Sequence, residues 1–185
     1  MMKKLLTLAA GFALTATVAA ADTGEARKDL QVFNDISKAV TRYSQFTIFD
    51  SVDASVKDGV VTLTGRVTMP YKKDEIQKRV AKIDGVRQVH DQISVLPVSR
   101  FDDQLRHRIA RAIYSNPNFW NYAIMADPPL HIVVEHSRVT LTGVVQSEVD
   151  RMLARSIATS QFGVMSVANN LKTDAEAKEA LEKAF

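Results

Sequence analysis

Val61-Thr-Leu-Thr-Gly65 and Val139-Thr-Leu-Thr-Gly143 spell the same five residues, 78 positions apart. A catalytic fingerprint would supply a nucleophile, a ligand set or a phosphate cradle. This stretch supplies alternating β-branched and apolar residues closed by a glycine. Working outward, the same offset of 78 sets Asp53-Ala-Ser-Val56 against His131-Ile-Val-Val134. It also sets Gly85-Val-Arg-Gln-Val-His-Asp-Gln-Ile93 against Gly163-Val-Met-Ser-Val-Ala-Asn-Asn-Leu171. Three blocks in one register mark two tandem copies of one unit.

Within each copy the apolar period changes in order. Val32, Ile36, Val40 and Tyr43 recur at helical spacing with Phe33 beside them, and Leu105, Ile109, Ala112 and Ile113 do the same in the second copy. Val52–Val56 and Val60–Val67 then read as strands joined by a tight turn at Lys57-Asp58-Gly59, where Asp-Gly tolerates positive φ. The corresponding turn of copy two, Glu135-His136-Ser137-Arg138, has poorer turn residues and is read by analogy. Ile76, Val80 and Ile83 predict a second helix, matched by Leu153, Ala154, Ile157 and Ala158. Ser147 with Asp150 three residues on suggests a cap for the latter. Gly85 and Gly163 follow these helices, where a glycine turns the chain into a last strand carrying Val86, Val89, Ile93 and Val95. The expected fold is α+β: two tandem αββαβ units, each a three-stranded mixed sheet with two helices on one face. Gly65 and Gly143 are expected to allow a bulge or a close approach of neighbouring backbone. No GxGxxG or GxxxxGKS motif is present.

The stretches GVVTLTGRV with IDGVRQVHDQI, and PPLHIVVEHSRVTLTG through SVANNL, resemble two copies of the BON domain. The units so read span 29–97 and 102–172, leaving 173–185 as a helical or frayed tail. That resemblance implies a non-enzymatic αββαβ unit of the bacterial cell envelope, of the kind found in osmotically induced periplasmic proteins. It implies binding of phospholipid, or support of exported and outer-membrane proteins under stress as a chaperone-like adaptor. The family's glycines fall on Gly65, Gly85, Gly143 and Gly163. Two departures are His136-Ser137 in place of an Asn-Gly or Asp-Gly turn, and the lack of the lipid-anchor cysteine of some envelope relatives.

The first 21 residues read as a signal peptide: a basic start at Lys3-Lys4, an apolar run Leu5–Val18, and Ala19-Ala20-Ala21 at a cleavage site. The run is too short for a membrane span. Cleavage would leave 164 residues (185 − 21) in the periplasm, with charge falling from +3 to +1 on loss of two lysines. That near-neutral balance, without a basic block, argues against nucleic acid. No cysteine is present, so disulfides, thiolate ligands and a thiol nucleophile are excluded. Lys72, Lys73, Lys78, Arg79 and Lys82 form a candidate local basic patch.

No residue set converges on catalysis. His131 and His136 lack a third metal ligand nearby, and no metal or cofactor is expected. Asp102 and Asp103 sit at a helix start, where carboxylates accept free N–H groups. Glu135, Glu148, Ser147 and Ser156 lie in no acid–base or nucleophile motif. One segment stands apart: copy two is five residues longer between first helix and first strand, and the extra length carries Phe119, Trp120, Tyr122, Ile124 and Met125. These side chains either close the core or form a lipid or partner contact, with Phe119, Trp120, Tyr122 and Met125 the candidates. In the tail, Glu179 and Lys183 are spaced to pair, and Leu181 and Phe185 are expected to dock on the second unit.

Overall fold

The computed structural model describes residues 19–185, with side chains from Lys28 onward. The export reading of residues 1–21 therefore lies outside the described residues up to position 18. In the first unit α1 (Ala19–Thr41) leads to β1 (Ser51–Lys57) and β2 (Val60–Val67), then α2 (Pro70–Val80) and β3 (Gln88–Val95). The second unit repeats this with α3 (Arg100–Tyr114), β4 (Leu130–Glu135), β5 (Arg138–Val145), α5 (Glu148–Thr159) and β6 (Ser166–Thr173). Between α3 and β4 the extra residues form a 3₁₀ turn (Pro117–Phe119) and the short α4 (Trp120–Ala123). The tail is helical as α6 (Asp174–Ala184), begun by a capping box between Thr173 and Glu176.

Each sheet is mixed. β2 pairs antiparallel with β1 and parallel with β3, and β5 does the same with β4 and β6. Alternation then sends Val61, Leu63 and Val67 to one face, under Ile36, Val40, Ile76 and Val80 of the helices. Val139, Leu141 and Val145 likewise pack under Leu105, Ile109, Ala154 and Ala158. Each fully buried Val, Leu or Ile among them contributes about 1.5–3 kcal/mol.

A carboxylate clamps each hairpin. Asp29 of α1 accepts from the Asp58 and Gly59 N–H groups at 2.7 and 3.0 Å. Asp102 of α3 accepts from His136 and Ser137 N–H, both at 2.8 Å. This explains how a turn without glycine holds φ of 50° and 63° at His136 and Ser137: two charge-assisted hydrogen bonds offset the left-handed strain. Asp102 therefore does not cap its own helix as expected. Ser99 does, accepting from Asp102 N–H, while Asp103 pairs with Arg106.

Gly65 and Gly143 sit opposite Val52 and Leu130, at φ of 120° and 110°. A Cβ there would lie 2.1 Å from the Ser51 carbonyl oxygen and 1.8 Å from that of Pro129. The repeated glycine is thus required by backbone approach. The tail lies against β5 and β6 of the second unit as expected, except at its last residue: the Phe185 ring lies 5.6 Å from that of Phe33 on the first unit. Arg151 of α5 holds its start through Glu176.

Candidate functional site

The two units meet through residues 44–50, the connection from α1 to β1. Ile48 carbonyl accepts from Ile132 N–H at 2.7 Å, so unit one lays a backbone rung on the outer edge of β4. Phe46 packs against the His131 ring at 5.4 Å, and Phe49 meets His107 edge-on at 4.7 Å. Thr142 and Ser51 hydroxyls bond across the joint at 2.9 Å, and Arg66 reaches Glu135 at 2.5 Å. Burial lowers the His131 pKa, against the pull of the Thr47 carbonyl and Asp127. A ring held neutral there stacks without an uncompensated charge.

That connection is anchored by Asp50, which has no exposed surface. Its carboxylate accepts from Thr47 N–H and hydroxyl, Thr68 N–H and hydroxyl, and Lys72 Nζ, all between 2.7 and 2.9 Å. Burial raises the pKa of such a group, yet the bonds from Lys72, Thr68 and Thr47 outweigh it and hold Asp50 below the usual carboxylate value. At the 78-residue offset its counterpart is Pro128, and Tyr122 takes over from the inserted segment. The Tyr122 hydroxyl accepts from Gln146 N–H at 2.7 Å and donates to Asp150 at 3.0 Å, the counterparts of Thr68 and Lys72. An ion pair in one unit is a neutral phenol contact in the other.

The candidate contact residues of the insert therefore divide. Phe119 is 0% exposed and Tyr122 is buried against it, so neither offers a contact surface: both belong to the core. Trp120, 64% exposed, and Met125 face outward with Ile124. The basic patch read from the sequence shrinks to Lys78 and Lys82, which stay exposed. Lys72 is consumed by Asp50, Lys73 donates to the Ile93 carbonyl, and Arg79 pairs with Glu75 over the Tyr43 ring.

A second set of exposed apolar side chains lies on α3, on α5 and just beyond the end of α5. Val149 and Met152 of α5 are exposed, and beyond its end Phe162 (85%) and Met165 (74%) stand almost free, with Phe101 packed against Gly163. Arg108 reaches across from α3 to the Phe162 carbonyl at 2.7 Å. Arg100, Arg111 and Arg155 are exposed on the same two helices. The duplicated scaffold provides its own comparison, since Met152, Phe162 and Met165 stand where the first unit has Asp74, Asp84 and Arg87. That contrast is visible in the sequence itself at the 78-residue offset. Among the described residues no group of three or more His, Cys, Asp or Glu side chains is placed to hold a metal ion. No helix among them is long and apolar enough to cross a membrane.

The BON domain family model matches residues 35–97 and 101–175, one match on each unit. The chain belongs to the BON domain family. BON domains are a non-catalytic family of binding domains, associated with phospholipid. No curated protein matches the sequence significantly. Among solved structures, similarity is found to the C-terminal domain of CdsD, a structural protein of the type III secretion system of Chlamydia trachomatis. That match has 16% identity and a TM-score of 0.32, and covers 81% of this chain and 68% of that one. A second CdsD structure matches at 13% identity and a TM-score of 0.29, covering 84% and 99%.

Proposed function

We propose that this BON protein is periplasmic and helps maintain the envelope under osmotic or similar stress by attaching reversibly to anionic phospholipid surfaces. The supporting observation is the outward face of α3 and α5, where Phe101, Met152, Phe162 and Met165 stand among Arg100, Arg108 and Arg155. Interfacial attachment needs apolar insertion and attraction to headgroups together, and this face carries both. Charged residues at three matching positions of the first unit support attachment through the second. Trp120 and Ile124 stand beyond the far end of α3, about 21 Å away at the helical rise, so the helical layer presents apolar groups at both ends. With a mature charge near neutral, affinity rests on these few groups and falls with salt.

The test is flotation of the full mature chain with vesicles of phosphatidylglycerol and phosphatidylcholine at low salt. Binding is expected, with a blue shift of Trp120 fluorescence. Phe162→Asp with Met165→Arg, which restores the first unit's residues, should abolish both signals. Failure of the wild type to float would refute the lipid reading. Recovery of the chain in the cytoplasmic fraction would refute the location.

A further inference from the structure

We propose that the outer edge of β1 receives an extended polypeptide segment, which joins the first sheet as a fourth strand in the groove between the units. This goes beyond the lipid reading and uses a different surface. With a two-residue turn at Asp58-Gly59 and the register Val56↔Val61, Ala54↔Leu63, Val52↔Gly65, the backbone groups of Val52, Ala54 and Val56 point away from β2. The matching groups of β4 are covered. The Leu130 carbonyl accepts from the Tyr114 hydroxyl at 2.6 Å, Ile132 N–H donates to Ile48, and the Val134 carbonyl accepts from Arg106 at 3.4 Å. In α1 the counterparts of Arg106 and Tyr114 are Phe33 and Thr41, as Ile36 is of Ile109. Among the described residues, nothing bonds to the outward groups of Val52, Ala54 and Val56. The side chains show the same contrast: Leu130, Ile132 and Val134 are buried, whereas Val52, Ala54 and Val56 are only half-buried.

A groove of about 380 Å³ runs along the Ser51–Ala54 part of this edge, walled by Phe33, Ile36 and Val40 of α1, by the start of β4 and by the end of β5. Donors and acceptors that alternate along a strand are matched by another backbone with the same two-residue period, and the apolar wall accepts its alternate side chains. Asp53 and Asp127 line the groove without an ion-pair partner among the described residues, and no Lys or Arg lines it. The occupant is therefore an extended segment alternating apolar and basic residues.

The probe is a capped Lys-Val-Lys-Val-Lys-Val-Lys peptide, added to the labelled full chain while amide hydrogen exchange is followed by NMR. Exchange at Val52, Ala54 and Val56 should be rapid in the free protein and slow about tenfold or more on saturation. Ala54→Pro removes an outward donor that β2 does not use, so the sheet should persist while peptide affinity falls about tenfold. Ser37→Arg, on the exposed groove wall of α1, should weaken binding likewise without touching the sheet, and a Glu-Val alternating peptide should bind less well. Unchanged exchange, or equal binding to both variants, overturns the proposal. Protection that appears with protein concentration alone makes a second copy the occupant, and protection by phosphatidylglycerol vesicles makes it lipid; either overturns it. Vesicle flotation by Ala54→Pro should match wild type, so the two readings fail separately.

Discussion

Replacing Lys72 with methionine keeps the apolar stem and removes the ammonium that Asp50 holds at 2.7 Å. Breaking a buried pair from one side costs about 3–5 kcal/mol, because the remaining charge stays desolvated. Asp50 would keep its four bonds from Thr47 and Thr68, so the lower end applies, about 3 kcal/mol. For a chain of this size that lowers the Tm by roughly 6–12 °C. The pH dependence is sharper than the magnitude. In the wild type the folded pKa of Asp50 lies below its unfolded value. Its contribution is thus present above the unfolded pKa and lost as pH falls through the folded one. Without Lys72 the burial remains and its largest counterweight is gone, so the folded pKa rises toward or past the unfolded value and the variant keeps less of this pH-dependent stability. The gap between the two proteins should be widest near pH 7 and shrink toward about pH 4. Urea denaturation followed by circular dichroism across that range measures it. A gap under about 1 kcal/mol at neutral pH, or one that widens on acidification, would refute the assignment of Asp50–Lys72 as a working ion pair.

In the second unit, Tyr122→Phe strands the Gln146 N–H and should cost about 1–2 kcal/mol. Burial raises the Tyr122 pKa, so this loss should stay flat from about pH 6 to 8; a slope in the denaturation midpoints would argue against a neutral phenol. Gly143→Ala drives a methyl into the Pro129 carbonyl at 1.8 Å, whereas Gly163→Ala meets only the tip of the Phe101 ring at 2.6 Å. The first should cost about 3 kcal/mol and the second about half of that, and equal losses in urea would contradict the close-approach role.

The strands were legible because their signal is local. Period-two alternation and a glycine at one offset place β1, β2, β4 and β5 within a residue or so of where they lie. The carboxylate clamps were not, because Asp29 and Asp102 are 73 apart rather than 78: the insert breaks the register just where the clamp would be found. Tyr122 was hidden for a related reason, since it replaces Asp50 in space and not in sequence. The basic patch misled because Lys72 reads as a helix-surface residue until the threonines and Asp50 are seen to converge on it. Exposure of Trp120 beside burial of Phe119 depends on how a four-residue helix rotates, which periodicity over so short a span does not encode.

The connection from α1 to β1 has a consequence for dissection of the chain. Ile48 and Phe49 belong to one unit by sequence and to the other by packing, so cutting between Leu96 and Arg100 would not release two finished halves. The C-terminal fragment would inherit an unfilled hollow and a bare strand margin, conditions that favour self-association. Two segments that began as equals in sequence have become a host and its missing piece.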